Sequence, residues 1–319
     1  MLKIEKILLP VDFPNTSLNV IHQAATLAYH FNSEIVMLHV VTAESHAAGV
    51  PDNSPDWDML AEITGKAQKN LDESLGPDLE ALAIRCVVLK GNPAQAILQT
   101  AQLEKADLIM MPSHGAAFNQ FLLGSVTAKV LHGSECPVWT GGHLETSEDP
   151  LTADNPMLLY GGAGMDWRDG MQTIRQEEPD GPVPEFAIHN VLCAVDLGPC
   201  SNKAVSWAAA MATEYGARLT LAHVTASAKL WGPGGSHVEP KLREELVDGA
   251  SQYLAKLQQE AGVKADTLIG SGDVPKALSQ AAKQTKADLL VTGCYPYDGN
   301  LRIHGYAIIC AVPIPLLSV

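Results

Sequence analysis

The sequence predicts an α/β protein of two tandem doubly wound domains, each with a five-stranded parallel sheet in the order 3-2-1-4-5, related by a pseudo-two-fold axis. Three observations carry that expectation. First, the chain is written twice. Ile7-Leu8-Leu9-Pro10-Val11-Asp12 returns as Val191-Leu192-Cys193-Ala194-Val195-Asp196, and Glu34-Ile35-Val36-Met37-Leu38-His39-Val40 returns as Arg218-Leu219-Thr220-Leu221-Ala222-His223-Val224 at the same offset. Ala106-Asp107-Leu108-Ile109 likewise returns as Ala287-Asp288-Leu289-Leu290, and a period this long marks a duplicated domain rather than a solenoid. Second, each copy alternates short β-rich runs with helical patterns, the mark of βαβ units. Third, runs such as Leu108-Ile109-Met110-Met111 are apolar at every position, as a strand covered by helices on both faces requires.

In the first copy, strands are expected near 4–11, 35–41, 83–89, 107–112 and 137–140, with helices near 17–31, 57–75, 93–104 and 124–132. Thr16 and Ser17 are cap candidates for the first helix, and Val20, Ala24, Leu27, Ala28 and Phe31 follow on one face at helical spacing. The second copy repeats the pattern, with helices near 201–215, 240–261 and 275–285. After Gly305 the chain reaches Pro313 and Pro315 early, so a shortened last helix is expected there. Between the copies, 142–186 carries Pro150, Pro156, Pro179, Pro182 and Pro184, the cluster Gly161-Gly162-Ala163-Gly164, and many carboxylates against only Arg168 and Arg175. Such a stretch buries little apolar surface and reads as a linker, although Met157-Leu158-Leu159-Tyr160 could pack on a domain. The expected division is a first domain at 1–141, an acidic linker at 142–186 and a second domain at 187–319. The last strands, Val138-Trp139-Thr140 and Leu316-Leu317-Ser318, are expected to satisfy each other's exposed edges within the chain.

Composition narrows the function classes. At 319 residues the chain can bury two cores, and 46% hydrophobic with 18% charged residues places it among globular proteins. No apolar run approaches the ~18 residues of a membrane span. The start, Met1-Leu2-Lys3-Ile4-Glu5-Lys6, runs into a strand pattern without a signal-peptide core, so a cytoplasmic location is expected. A formal net charge of −15 repels phosphate backbones and argues against nucleic acid as a partner, while leaving room for one nucleotide bound locally. The six cysteines form no Cys-x-x-Cys pair, and several sit in apolar runs as small hydrophobes.

In an open parallel sheet, ligands bind beyond the carboxyl ends of the strands where the order reverses, here between strands one and four. The segments leaving those strands are Pro10-Val11-Asp12-Phe13 and Met111-Pro112-Ser113-His114-Gly115. Further on, Gly124-Ser125-Val126 opens a helix whose free N–H groups and dipole favour an anion. The plain alternative is that these residues only turn strands into helices, with Asp12 and Ser125 as caps.

Both copies resemble the universal stress protein family, whose hallmark is Gly-x-x-Gly, nine residues, then Gly-Ser or Gly-Thr after a strand ending Asp-Leu-Ile-Val-Met. The first copy has Asp107-Leu108-Ile109-Met110-Met111, Gly115, Gly124-Ser125-Val126 and Cys136-Pro137-Val138. The resemblance implies a flavodoxin-like (Rossmann-like) fold, dimerisation through the last strand and, in one subset, ATP binding. Carried over, Pro10, Val11 and Asp12 would line the nucleoside side, Val40 would lie near the adenine, and Met111 would end the strand beneath. Gly115, Gly124, Ser125 and Val126 would face ribose and phosphates. ATP or AMP as ligand, an internal pairing of the two domains, and room for a further homodimer follow from the same resemblance, and binding in the first copy alone is expected from Ser125 there against Tyr306 in the second.

Two departures stand out. The family's first glycine is Pro112, which has no N–H, and the loop Ala116 to Leu123 is one residue short and holds no Lys or Arg. In the second copy the counterparts read as Gly293, Pro296, Gly305 and Tyr306, so only Asp196 persists and that site is expected to be degenerate. His39 and His223 occupy equivalent strand ends without further ligands at metal spacing. Nucleophile elbow and Walker loop are both absent from the sequence, so any hydrolysis would be slow and incidental. The rival reading is a nucleotide-independent interaction module; an enzyme of the wider adenine-nucleotide α-hydrolase-like group ranks third.

Overall fold

The structure is a computed structural model that describes residues 2–11, 18–41, 82–113, 123–141, 187–198, 201–225, 240–293 and 303–319. The first half comprises β1 (Lys6–Pro10), α1 (Leu18–Phe31), β2 (Glu34–Val41), β3 (Ile84–Lys90), α2 (Pro93–Glu104), β4 (Leu108–Met111), α3 (Ser125–Gly133) and β5 (Val138–Thr140). The second half comprises β6 (Asn190–Ala194), α4 (Ser201–Tyr215), β7 (Arg218–Thr225), α5 (Pro240–Ala261), β8 (Asp266–Ser271), α6 (Val274–Thr285), β9 (Leu289–Thr292), α7 (Ile303–Ala311) and β10 (Leu316–Ser318). The helix expected near 57–75, the cap candidates Thr16 and Ser17, and the linker lie outside the described residues.

All ten strands form one sheet in the order β3-β2-β1-β4-β5-β10-β9-β6-β7-β8, so each half has the predicted order 3-2-1-4-5. Pairing is parallel within each half. At the centre β5 and β10 run antiparallel, with Val138 opposite Ser318, Trp139 opposite Leu317 and Thr140 opposite Leu316. A palindromic order with an antiparallel centre relates the halves by a local two-fold. None of the helices among the described residues is long and apolar enough to cross a membrane.

The all-apolar strand β4 explains the layering. Leu108 and Met110 join Ile7, Leu9, Leu27 and Trp139 in one buried layer, which continues through Leu317, Val291 and Cys193. Ile109 and Met111 join Leu8, Leu38, Ile97 and Val130 in the opposite layer, which continues through Leu316, Leu290 and Leu192. Successive side chains point to opposite faces, so a strand with helices on both sides must be apolar throughout. At about 1.5–3 kcal/mol per fully buried Leu, Ile or Met side chain, β4 alone contributes several kcal/mol.

The repeated Ala-Asp-Leu has a structural cause that periodicity did not reveal. The Asp107 carboxylate accepts the backbone N–H groups of Glu5 (2.7 Å) and Lys6 (3.0 Å), tying the start of β1 to the start of β4. Asp288 does the same for His189 and Asn190, both at 2.8 Å. Two strands whose starts lie about a hundred residues apart are thus clamped at their amino ends, opposite the carboxyl ends between which the strand order reverses. The halves also meet where α1 and α4 end. The His30 ring stacks on Tyr215 with centroids 4.5 Å apart, Phe31 approaches the same ring edge-on, and His30 Nε2 lies 3.4 Å from Glu214. Burial there pushes the Tyr215 hydroxyl up to about 12.

One expectation is corrected. The last helix of the second half is not shortened: α7 and α3 are each nine residues long and precede their final strands by the same spacing. The missing residues fall in the connection after β9, so Ile303 and not Tyr306 stands level with Ser125, and Gly305 lies inside the first turn. The apolar run Ala307-Ile308-Ile309-Cys310-Ala311 can be buried only by continuing the helix, and that outweighs the modest cost of a glycine near its start.

Candidate functional site at the strand-order reversal

The first-half site is built on the carboxyl ends of β1, β2 and β4 and the start of α3. β1 ends at Pro10, which has no N–H to offer a ladder, and β6 ends at the matching residue Ala194. Val11 then turns its N–H to the Leu38 carbonyl at 2.9 Å, and its own carbonyl lies 3.0 Å from His39 Nδ1. The second half repeats both contacts through Val195, Ala222 and His223. The two strand-end histidines therefore hold backbone, and among the described residues there is no group of three or more His, Cys, Asp or Glu side chains able to hold a metal ion. Val11 is buried and Val40 half-buried at the end of β2.

Across the reversal, buried Met111 ends β4 and its carbonyl accepts the Gly141 N–H. The neck of the following connection is closed by two hydrogen bonds. Gly124 N–H donates to the Ser113 carbonyl at 2.9 Å, and the Thr127 hydroxyl donates to the Pro112 carbonyl at 3.0 Å. Thr127 was not singled out from the sequence, and no local signal marks it.

The start of α3 differs from its neighbours. Asn92 caps α2 by accepting the Gln95 N–H, and Asp273 caps α6 by accepting the Lys276 N–H, each with proline in the first turn. Gly124, extended at φ −60° and ψ 141°, supplies no side-chain cap to α3. Ser125 is exposed and Val126 half-buried beside it. An uncapped helix start presents backbone donors and the positive end of the dipole outward, which is the chemistry of an anion site. Pro10, Val11, Val40, Met111, Gly124, Ser125 and Val126 thus fall at one end of the sheet around the reversal. Asp12 and Gly115 lie outside the described residues.

In the second half the corresponding strand end is described as far as Gly198. Asp196 Oδ1 accepts the Gly198 N–H at 2.8 Å and the Ser201 hydroxyl at 3.0 Å, so this carboxylate is engaged at the start of α4. Leu197 beside it adopts φ +60°, a costly conformation for a branched side chain.

The universal stress protein family model matches residues 3–140 and matches again over 187–301. The chain belongs to the universal stress protein family. Its two matched segments are the two halves of the sheet, and the second match stops just short of α7, where the connection has lost residues. Single-domain relatives align with less than half of this universal stress protein. Universal stress protein MJ0531 of Methanocaldococcus jannaschii is 31% identical over 142 residues, covering 42% of this chain and 79% of the relative. Universal stress protein A of Escherichia coli K12 is 33% identical over 110 residues, 34% of this chain and 76% of the relative. A crystal structure of a universal stress protein from Archaeoglobus fulgidus covers 99% of this chain and 96% of its own length, with TM-score 0.59 and 20% identity, and so supports the tandem fold.

Proposed function

We propose that this universal stress protein binds one adenine nucleotide, ATP or AMP, in its first half and acts in the cytoplasm as a sensor or regulator in the stress response, with the second half as its internal pairing partner. In this reading the domains run over 1–141 and 187–319, joined by 142–186, and turnover of the nucleotide is slow and incidental. The uncapped start of α3 at Gly124-Ser125 carries the reading. Phosphates would rest on that helix start, the Ser125 hydroxyl would add a hydrogen bond, and Pro10, Val11, Asp12 and Val40 would line the nucleoside. Support for confining the site to the first half comes from Ile303, which has no hydroxyl at the level of Ser125.

Ser125→Glu tests the reading. Two like charges at ~4 Å repel by about 1 kcal/mol in water and about 4 kcal/mol near a protein surface, so nucleotide affinity should fall tenfold or more. The fold should tolerate the change, because a carboxylate suits a helix N-terminus. Equal affinities of wild type and variant at matched thermal stability, or binding to neither, would leave the nucleotide-independent interaction module as the reading.

A further inference from the structure

Where the two halves meet, residues face their own counterparts. The offset that carries Ile7 to Val191 carries His30 to Glu214 and Phe31 to Tyr215, and the left-handed residues that follow, Asn32 at φ +54° and Gly216 at φ +62°, keep the same register. His30 Nε2 lies 3.4 Å from Glu214 Oε1, and the Phe31 and Tyr215 rings meet edge-on with centroids 6.3 Å apart. In the sheet, Trp139 stands opposite Leu317, the middle residue of β5 against the middle residue of β10. The Trp139 indole reaches toward α1, donating to Gln23 at 2.8 Å. In a two-fold pairing only residues beside the axis can face their own counterparts, so the local axis leaves the sheet at Trp139 and Leu317 and passes between the ends of α1 and α4.

Two copies of one domain would place identical residues at these positions, and this chain places complements. An imidazole, which can donate an N–H, faces a carboxylate. Two second halves would instead bring two carboxylates together, and like charges ~4 Å apart repel. A large indole faces a leucine, 0% and 1% exposed, where two first halves would force two indoles into space packed for one. Backbone pairing cannot make that choice. β5 and β10 pair over three residues each, and such a ladder is the same whatever side chains it carries.

We infer that His30 with Glu214, and Trp139 with Leu317, make this seam a pairing surface for unlike halves: the first half accepts a second-half partner and rejects a second copy of itself. One chain therefore closes on its own second half, and any further chain must attach elsewhere. The stacking of His30 on Tyr215, with centroids 4.5 Å apart, holds the imidazole in the plane from which it meets Glu214. The selectivity is independent of the nucleotide, because it rests on residues at the seam alone.

The test uses full-length chains: wild type, His30→Glu, the exchanged pair His30→Glu with Glu214→His, and Tyr29→Glu, which adds the same charge at a neighbour that is 74% exposed. Hydrogen–deuterium exchange of peptides covering β5 and β10 reads opening of the seam, with β7 as the internal reference. His30→Glu should raise exchange at the seam about three- to tenfold and leave β7 unchanged. The exchanged pair should return to within about twofold of wild type, because the two-fold lets the new imidazole face Phe31 as His30 faces Tyr215, and Tyr29→Glu should change nothing. Partner choice is read on full-length Phe31→Cys after mild copper–phenanthroline oxidation, with disulfides located by peptide mass spectrometry. A disulfide joining position 31 of two chains requires two first halves to meet, and none is expected. Its appearance would overturn the inference. So would unchanged seam exchange in His30→Glu, no recovery in the exchanged pair, or a rise shared equally by Tyr29→Glu or by β7.

Discussion

Trp139 joins the seam to the first-half core, and replacing it should expose how strongly the two are coupled. Its side chain is fully buried on β5, opposite Leu317 of the second half. The indole N–H donates to Gln23 Oε1 at 2.8 Å, and Gln23 Nε2 donates in turn to Asn19 Oδ1 at 2.9 Å. Trp139→Phe strands a buried acceptor at a cost of about 1–3 kcal/mol and opens a small cavity worth about 1 kcal/mol more. Gln23→Leu alone strands the indole N–H at a similar cost. The double variant removes both polar ends and keeps mainly the cavity term, so the cycle should close with a coupling of about 1–2 kcal/mol. Urea denaturation of the four proteins, followed by circular dichroism at constant slope, gives that number directly. Additivity within about 0.5 kcal/mol would refute the reasoning, because independent sites add to that precision.

Glu104→Gln dismantles the alternating network in which Glu104 accepts from Lys6 at 2.9 Å and Arg85 at 2.7 Å while Glu34 pairs with both. These side chains are partly exposed, so the loss should be about 1 kcal/mol or less and should shrink with salt. Hydrogen bonds from Lys6 and then Arg85 hold the Glu104 carboxyl below its ordinary value. The stability gap between wild type and variant should therefore be full above the ordinary carboxylate pKa of about 4.3 and close as pH falls through the lower native one. Thermal midpoints that stay equally far apart in acid would contradict this. Complete burial pushes the Cys193 thiol up to about 12. Peptide mapping after treatment with an aromatic disulfide at pH 8 should find Cys193 unlabelled until denaturant is added, and labelling at the rate of a free thiol would show that it is not buried.

The sequence made the backbone plan readable because duplicated apolar runs report strands twice over. Val191-Leu192-Cys193 confirms what Ile7-Leu8-Leu9 suggests, and the all-apolar β4 requires helices on both faces. Contacts between residues far apart in the chain were not readable. The Asp107 clamp on Glu5 and Lys6, the Trp139 to Gln23 bond and the Thr127 to Pro112 bond leave no local pattern. Glycine spacing does not mark the start of α7, because Gly305 lies inside its first turn. Helix boundaries follow burial of Ile308 and Ile309 and the fixed distance to β10, whereas the connection before them absorbs a change in length cheaply. At the first-half site, the strand ends could be anticipated from the repeated apolar runs and the uncapped helix from Gly124-Ser125, while the Thr127 to Pro112 bond that closes the connection could not.

The stoichiometry of adenine nucleotide on the intact chain, read by native mass spectrometry with ATP and with AMP, tests the central claim most directly. One nucleotide per chain, lost on Ser125→Glu, is the predicted result. Two equivalent nucleotides per chain, or one that survives Ser125→Glu undiminished, would contradict it.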